Sequence, residues 1–329
     1  MKIVSGASSV KTFVERINAG VDEVFCGYVS PEWIEKYKYL ISPNRRWGKL
    51  ANFTSAIDLK CAINVAHKNN VKVTLTLNAH TYNNAQINLL STMIDDAVKT
   101  GIDNFIVADI GILLYVINKY PEIPVHISTG GTVFNDEAVN FYSNLGVKRI
   151  VFDRLLPPDE VINISDKYPN MEFEVFISNA RCSNIDGFCN FEHAITYLSN
   201  CSKIDNFPMC GLNYNVELVT DKELIEEECK KVCDSFVKKR NFNAYPKACA
   251  ACYLYKFSKH NIDFVKIPAR ASGDINNRNK ILKETNFIKN MIKSIDDFKN
   301  ENEYELYARE MFYEYFNVKC CKKGINCYY

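Results

Sequence analysis

Short apolar runs rich in β-branched and aromatic residues alternate along the chain with segments whose apolar positions recur every three to four residues. The segment before VKVTLTL is an example, because Ile57, Cys61 and Val65 share one face of a helix. This alternation predicts eight strands, at residues 2–5, 23–26, 71–77, 104–108, 125–128, 149–152, 173–177 and 263–267. Eight strands separated by helices predict an α/β chain with a (β/α)8 TIM-type barrel, and an open doubly wound sheet is the alternative.

The crossover after the seventh predicted strand breaks the regular spacing. Between Ile177 and Asp263 lie 85 residues, against about 30 for a whole ordinary βαβ unit. We therefore expect a cysteine-rich insertion at residues 178–262 within a barrel of residues 1–275, followed by a helical extension with a Cys-rich tail at 276–329. The insertion follows the carboxyl end of a strand, which is the face where barrel enzymes carry their active sites. No G-x-G-x-x-G follows an early strand, which disfavours the doubly wound alternative.

Charge and composition exclude several classes of protein. The chain has 40 Lys and Arg against 39 Asp and Glu, so a strongly basic nucleic-acid binder is not expected, although a local basic patch is compatible with these numbers. No long apolar run and no signal-peptide core is present, and we expect a cytoplasmic protein with no membrane partner. Its richness in Asn, Lys and Ile suggests an anaerobic source. In a reducing compartment, 13 cysteines indicate metal or redox chemistry.

Eight of the 13 cysteines lie in the expected insertion. Cys182 and Cys189 flank Gly187, and Cys210 and Cys249 follow at wide intervals. This spacing differs from the two close C-x2-C pairs of zinc ribbons and fits an iron–sulfur cluster, whose thiolates can come from distant loops. A zinc site and unligated buried thiols are the alternatives. The sequence leaves open whether the tail cysteines ligate metal, relay electrons or are disordered: Cys320, Cys321 and Cys327.

Around these cysteines the sequence resembles the collagenase-like peptidase family U32. The family signature E-x-F-x2-G-A-x-C-x4-G-x-C is matched from Glu174 to Cys189, with Asn179 in place of its first glycine. Other segments similar to the family occur over residues 1–275, namely AGVDEVFCGY, ANFT, TLN, ADIG, HISTG, FDR and KIPAR. The resemblance implies a (β/α)8 barrel that carries a [4Fe–4S] cluster.

Carried over position by position, the resemblance implies that four cysteines hold the cluster: Cys182, Cys189, Cys210 and Cys249. Cys249 lies 17 positions before Lys266, as in the family, and is preferred over Cys252. Cys201 competes with Cys210 as the third ligand. Members of the family act in oxygen-independent hydroxylation of RNA bases or of a quinone-precursor ring, some with prephenate as the oxygen source. We therefore expect a hydroxylation-type modification of a small molecule, a peptide or an RNA base.

Three departures from the family pattern keep other functions open. Ser178 stands where the family often has histidine, Leu155 replaces the glutamate of R-E-L, and Pro268 replaces the glutamate of K-I-E-G-R. One alternative is a peptidase or hydrolase, as the family name implies, although no G-x-S-x-G elbow, H-E-x-x-H pair or P-loop is present. The other is a non-catalytic iron–sulfur subunit that works with a partner subunit of the same family.

Polar residues follow the predicted strand ends, where a barrel directs them to its mouth. The catalytic candidates are Arg154, Asp109 and Asn78. The substrate-binding candidates are Asn52, Ser128, Thr129, Asn135 and Arg270. Arg154 and Arg270 suit a carboxylate, because a planar guanidinium binds it bidentately. Helix caps and turns are an equally good interpretation of Ser128, Thr129 and Asn135.

One loop, PNRRWGKLANF, mixes basic and aromatic residues. Arg45 and Arg46 in this loop suit either a cover over a ligand or a contact with nucleic acid. An ordinary solvated loop is the competing interpretation. His126 lies within a predicted strand and is expected in the core, whereas His193 follows Cys189 by four positions and is a weaker candidate for a place near the cluster.

Overall fold

The computed structural model describes residues 1–38, 41–46, 50–179, 182, 184–189, 248–268, 275–318 and 327–329. Eight parallel strands close into a barrel, which confirms the predicted TIM-type fold. Around the barrel they are β1 (Lys2–Gly6), β10 (Phe264–Ile267), β7 (Glu172–Phe176), β6 (Arg149–Val151), β5 (Val125–Ile127), β4 (Asn104–Val107), β3 (Lys72–Leu77) and β2 (Glu23–Cys26). The strands β8 (Ser178–Asn179) and β9 (Ala248–Cys249) form a separate antiparallel pair directly after β7.

Helices follow the barrel strands in the alternation that the sequence predicts. They are α1 (Val10–Ala19), α2 (Pro31–Tyr37), α3 (Ala56–Lys68), α4 (Asn84–Thr100), α5 (Ile110–Lys119), α6 (Asp136–Asn144), α7 (Pro158–Ser165), α8 (Leu254–Ser258), α9 (Ile275–Lys293) and α10 (Glu301–Phe316). Several begin at a side chain that accepts a hydrogen bond from the first turn, as Ser9 and Asn83 do. In the described part of the chain, no helix has the length and apolar character needed to cross a bilayer.

Two helical features differ from the sequence analysis. The helix α2 was not predicted, and it is set by Ser30 as N-cap with Pro31 at the first helical position. The helical extension predicted after residue 275 divides into α9 and α10 at a short 3-10 turn, Ile295–Asp297. Because α9 packs on α1 and Arg278 pairs with Glu15, α9 supplies the barrel helix that follows β10.

Alternation within the strands separates two environments. In β3, Val73, Leu75 and Leu77 belong to the apolar core between the strands and the helices. The residues between them point into the barrel, where the Thr74 hydroxyl donates to Glu23 at 2.6 Å and the Thr76 hydroxyl donates to the carbonyl of Cys26 at 2.9 Å. A strand places successive side chains on opposite faces, so the barrel interior of this protein is polar while its outer layer is apolar.

The polar interior is organised around buried charges. Arg149 pairs with Glu23 at 3.0 Å, Glu172 at 3.0 Å and Glu174 at 2.9 Å. Glu174 also accepts from Lys266 at 2.6 Å. Burial by itself raises the pKa of Glu174, but Lys266 and Arg149 lower it below its ordinary value. The network therefore joins β2, β6, β7 and β10 across the barrel.

Aromatic rings complete this layer. The Arg149 guanidinium lies 3.4 Å from the centre of the Phe264 ring, and the Lys266 ammonium lies 4.2 Å from the centre of the Phe25 ring. Phe25, Phe264 and Val4 form an apolar cluster separate from the main core. Cation–π contacts of this kind gain strength when the cation is shielded from water. The rings thus fill the barrel without leaving its charges unpaired.

We predict that Arg149→Met lowers the free energy of unfolding by about 3–5 kcal/mol, because it leaves two buried carboxylates, Glu23 and Glu174, without their shared cation. Urea denaturation measures the change. The matched control is Lys99→Met, because Lys99 is 77% exposed and lies 3.6 Å from Asp96. Loss of that surface pair costs less than about 1 kcal/mol. Similar losses in both variants would contradict a stabilising role for the barrel network.

Candidate functional site

A cavity opens at the carboxyl ends of the barrel strands and encloses about 630 Å³, part of it open to solvent. Its polar lining comes mainly from residues in or just after β3, β5, β6 and β10 and from the loop 41–46. The lining residues are Phe25, Asn44, Arg45, Arg46, Thr76, Asn78, Ile106, Ser128, Thr129, Val151, Arg154, Phe176, Asp186, Lys266 and Pro268. This is the face on which barrel proteins build their sites.

The cavity carries an excess of positive charge. Arg45, Arg46, Arg154 and Lys266 line it, and Asp186 is the acidic residue among the described lining residues. Lys266 also forms an ion pair with Glu174 inside the barrel, so part of the positive charge of Lys266 is already balanced. Fixed cations in a partly enclosed space attract anions more strongly than they do at an open surface. The cavity therefore suits a ligand with carboxylate or phosphate groups.

Asp186 connects the elements that form the cavity rim. Its carboxylate accepts from Arg154 at 2.7 Å and from the Thr129 hydroxyl at 2.9 Å. Its backbone N–H donates to Asp153 at 3.0 Å, and its carbonyl accepts from Arg45 at 3.2 Å. Burial by itself raises the pKa of Asp186, but Arg154 and Arg45 hold it well below its ordinary value. Asp186 is therefore a fixed anion that aligns two of the four cations.

The loop that carries Arg45 and Arg46 is held from below by asparagine side chains. Asn52 accepts from Asn44 at 2.8 Å and donates to the carbonyl of Arg46 at 2.8 Å. Gly27 packs so closely against this pair that a Cβ there would lie 1.9 Å from the Asn52 oxygen. Burial lowers the pKa of Arg46 to about 10, with Cys26 opposing the shift, so the guanidinium remains charged at neutral pH. The loop 41–46, called here the basic loop, is thus held in place as a wall of the cavity.

The structure brings four of the predicted site residues together: Asn78, Ser128, Thr129 and Arg154 line the cavity. Asn78 donates to the Ser128 hydroxyl at 3.1 Å. The Asn78 side-chain oxygen is buried and has no hydrogen-bond partner among the described residues. It is an acceptor available to a ligand in the cavity.

Other predicted site residues have different positions. Asp109 accepts from the N–H of Ile112 at 2.9 Å and begins α5, and Asn135 accepts from the N–H of Ala138 at 3.0 Å and begins α6. Both serve as helix N-caps outside the cavity lining. Asn52 supports the basic loop instead of lining the cavity. Arg270, Cys210, Cys201 and His193 lie outside the described residues.

Three of the four predicted cluster ligands lie in the described part of the chain: Cys182, Cys189 and Cys249. The Cys182 sulfur accepts from the N–H of Asn184 at 3.4 Å, and the Cys249 sulfur accepts from the N–H of Ala251 at 3.3 Å. Backbone N–H groups aimed at cysteine sulfurs suit thiolates that bind soft metals. The donor chemistry therefore fits an iron–sulfur cluster.

The described residues do not by themselves complete such a site. Among them, no group of three or more His, Cys, Asp or Glu side chains is close enough to hold a metal ion. The remaining predicted ligand, Cys210, lies outside the described residues. The cluster accordingly stays a prediction from the sequence.

Residues 327–329 lie beside Cys249, on the side of the barrel mouth that carries the predicted cluster ligands, called here the cysteine side. The backbone of Cys327 forms an isolated parallel β-bridge with the backbone of Cys249. The N–H of Tyr328 donates to the Cys249 carbonyl at 3.0 Å. The buried Tyr328 ring stacks on Phe176, with ring centres 6.1 Å apart. The Arg154 guanidinium lies 4.5 Å from the centre of the Phe176 ring. Of the three tail cysteines, Cys327 is thus next to a predicted cluster ligand, and Cys320 and Cys321 lie outside the described residues.

Comparison with known proteins identifies the family. The family model described as peptidase family U32 matches residues 8–324. The chain belongs to peptidase family U32. This agrees with the resemblance seen in the sequence from Glu174 to Cys189.

Named relatives of this U32 chain include RNA hydroxylation proteins. The tRNA hydroxylation protein P of Helicobacter pylori is 32% identical over 192 residues, which cover 57% of this chain and 42% of that protein. The 23S rRNA 5-hydroxycytidine C2501 synthase of Escherichia coli is 31% identical over 160 residues, which cover 49% of this chain and 24% of that protein. A collagenase of Porphyromonas gingivalis is 28% identical over 198 residues, covering 57% and 44%. The chain spans less than half the length of each relative.

Two charged cavity residues of this U32 chain, Lys266 and Asp186, are not among the site residues predicted from the sequence. Lys266 was noted only as part of KIPAR, although its place on the last barrel strand, alternating with apolar residues, was a usable signal. Asp186 lies between two predicted cluster ligands and next to Gly187, and nothing in its local pattern distinguishes it from a turn residue. Its importance comes from partners that are distant in the sequence, such as Arg45.

We predict that Asp186→Asn lowers the free energy of unfolding by about 3–5 kcal/mol at neutral pH, because Arg154 and Arg45 lose a buried anion. The pKa of Asp186 is lower in the folded state than in the unfolded state. Its stabilisation is therefore complete above the ordinary carboxyl pKa of about 4 and declines as the pH falls below it. Urea denaturation of both proteins between about pH 7 and about pH 3 measures the difference. A difference that does not shrink in acid would contradict this role.

Proposed function

We propose that this U32 chain catalyses or assists oxygen-independent hydroxylation of an RNA base, with a [4Fe–4S] cluster at the barrel mouth. The observation that carries the proposal is the basic cavity at the carboxyl ends of the strands, whose rim adjoins the turn between Cys182 and Cys189. Support also comes from relatives named as tRNA and rRNA hydroxylation proteins. Because the chain spans less than half of those proteins, their substrates enter here only as part of the proposal.

The cavity has groups for both an anion and a base. Arg154 and Lys266 would hold the carboxylate of an oxygen donor or a phosphate of the RNA, because both cations line the cavity and are fixed by carboxylates behind them. The Asn78 oxygen, buried and without a hydrogen-bond partner among the described residues, would accept from an N–H on the edge of a base. Enzymes that modify a base inside a structured nucleic acid commonly place it in such a pocket, out of its stack.

The predicted ligands of the cluster are Cys182, Cys189, Cys210 and Cys249. When bound, the cluster would supply the electron-transfer or Lewis-acid chemistry that amino-acid side chains lack. The chain's own contribution is positioning: Arg154 lies against Phe176 and Asp186, and Cys182 is among the groups that raise the pKa of Arg154. A ligand held by Arg154 would therefore lie on the cysteine side of the cavity.

The test compares wild-type protein with Cys182→Ala, and with Cys61→Ala as a matched control because Cys61 is exposed on α3. Each protein is purified without air, and iron and acid-labile sulfide are measured. We expect about four irons and four sulfides per chain in wild type and in the control, as four cysteines hold one [4Fe–4S] cluster, and a loss of both in Cys182→Ala. Each variant is also returned to cells that lack the protein, and their RNA nucleosides are analysed by mass spectrometry.

We expect a nucleoside heavier by one oxygen atom with wild type and the control, and its absence with Cys182→Ala. Stoichiometric zinc without sulfide would contradict the cluster. Hydroxylation that persists in Cys182→Ala would contradict its role in the reaction. Iron-independent turnover of a peptide, with RNA unchanged, would replace the proposal with the hydrolase that one relative's name implies.

A further inference from the structure

The turn Asp186–Phe188 at the cavity rim is firmly held, yet it ends in an exposed aromatic ring. Phe188 is 70% exposed. The turn is fixed through the Asp186 carboxylate, bound by Arg154 and Thr129, and through its N–H, bound by Asp153. A large apolar side chain that packs on little of the protein gains nothing for folding from such a position. Its ring is therefore available to a ligand on a turn whose backbone is fixed.

Close packing keeps this turn from tilting. Gly187 lies against the 3-10 helix Thr129–Gly131, and a Cβ on Gly187 would lie 2.0 Å from the Thr132 methyl carbon and 2.9 Å from the Gly130 carbonyl oxygen. The backbone on either side of Phe188 is therefore set by contacts that do not involve its ring. The ring is presented to solvent by a rigid support, which reduces the entropy lost when a partner binds to it.

Arg45 approaches the same turn in a strained backbone conformation. Its φ is +53°, in the left-handed region that residues other than glycine rarely adopt. One guanidinium nitrogen donates to the Asp186 carbonyl, while the other, Nη2, lies 3.8 Å from the Asp186 carboxylate and has no hydrogen-bond partner among the described residues. Strain of this kind persists where the surrounding structure requires it, commonly at binding sites. Arg45 thus keeps one donor for a ligand.

His80 lies beside Gly130, which belongs to the same 3-10 helix against which Gly187 packs. A Cβ on Gly130 would be 3.6 Å from its Nδ1, and both ring nitrogens of His80 are buried with no hydrogen-bond partner within the described part of the chain. Burial, followed by the charge of Arg45, lowers the pKa of His80 to about 4, with Asp186 opposing the shift. The imidazole is therefore neutral near pH 7 and offers one donor and one acceptor.

We propose that Phe188, Arg45 and His80 form a rim subsite for the unpaired nucleotide next to the one that enters the cavity. Phe188 stacks on the base, His80 bonds to its edge and Arg45 binds a phosphate. A flat ring, a neutral donor and acceptor, and a cation together match the face, edge and backbone of a nucleotide in single-stranded RNA. This inference rests on the proposed RNA function, and it assigns recognition to residues outside the predicted catalytic and cluster sets.

The test measures binding of the full chain, purified without air, to a fluorescein-labelled RNA hairpin with a uridine loop, by fluorescence anisotropy. We expect Phe188→Ala to bind at least about fivefold more weakly, because stacking of one base on an aromatic ring contributes that much or more. Phe188→Trp retains the affinity. The matched control Phe141→Ala, which removes another exposed phenylalanine, 47% exposed on α6, binds as wild type does. A hairpin with 5-iodouridine in the loop is then crosslinked by light, and mass spectrometry is expected to locate the crosslink at Phe188.

Different results would contradict the rim subsite and the proposed RNA function. If wild type binds the hairpin, Phe188→Ala binds equally well and the crosslink maps elsewhere, the rim subsite is wrong while the RNA function stands. If wild type binds neither the hairpin nor bulk tRNA, the proposed function is wrong and the subsite with it. Circular dichroism of Phe188→Ala, expected to match wild type because the side chain is exposed, shows that weaker binding is not unfolding.

Discussion

The carboxylate of Glu174 is the constraint on which the barrel mouth depends. It accepts from Lys266 at 2.6 Å and from Arg149 at 2.9 Å in a space closed to water. Removing the Glu174 carboxylate would leave two buried cations without their shared anion, which costs far more than an intact pair contributes. Lys266 therefore belongs both to the buried network of the barrel and to the cavity. A ligand that binds Lys266 shares it with the carboxylate of Glu174, whereas Arg45, Arg46 and Arg154 together outweigh Asp186 and keep the cavity positive.

Asp186 holds the loops of the mouth together through shared hydrogen bonds and ion pairs, as Glu174 holds the strands of the barrel. The residues it joins come from three separate crossovers, at Arg45, Thr129 and Arg154. The crossovers of a barrel pack individually on their own strands, and nothing in the fold alone fixes one loop against another. A single buried anion with several partners supplies that alignment. The same contacts leave Phe188 exposed and fix its backbone, so rigidity of the rim and presentation of the ring have one cause.

The hydrophobic pattern predicted the barrel because each strand's alternation and each helix's periodicity are local properties. VKVTLTL, for example, shows which side chains point inward. The pattern does not show which inward charges meet, since Arg149 and Glu23 pair across 126 positions. Asn78, Ser128 and Arg154 were found because strand ends converge at the mouth. Asp109 and Asn135 also follow strand ends, but their side chains cap the helices that begin there and do not line the cavity. For Asn135 the sequence left the choice between cap and binding residue open.

Arg154 is the cation at the barrel mouth that interacts with both Asp186 and Cys182. Burial by itself lowers its pKa, but Asp186, Tyr328 and Cys182 raise it above the ordinary value, so the guanidinium stays charged. One cation thus interacts with both a rim carboxylate, Asp186, and a cysteine, Cys182. If thiolates gather there, their negative charge competes with Asp186 for Arg154 and with any anion in the cavity.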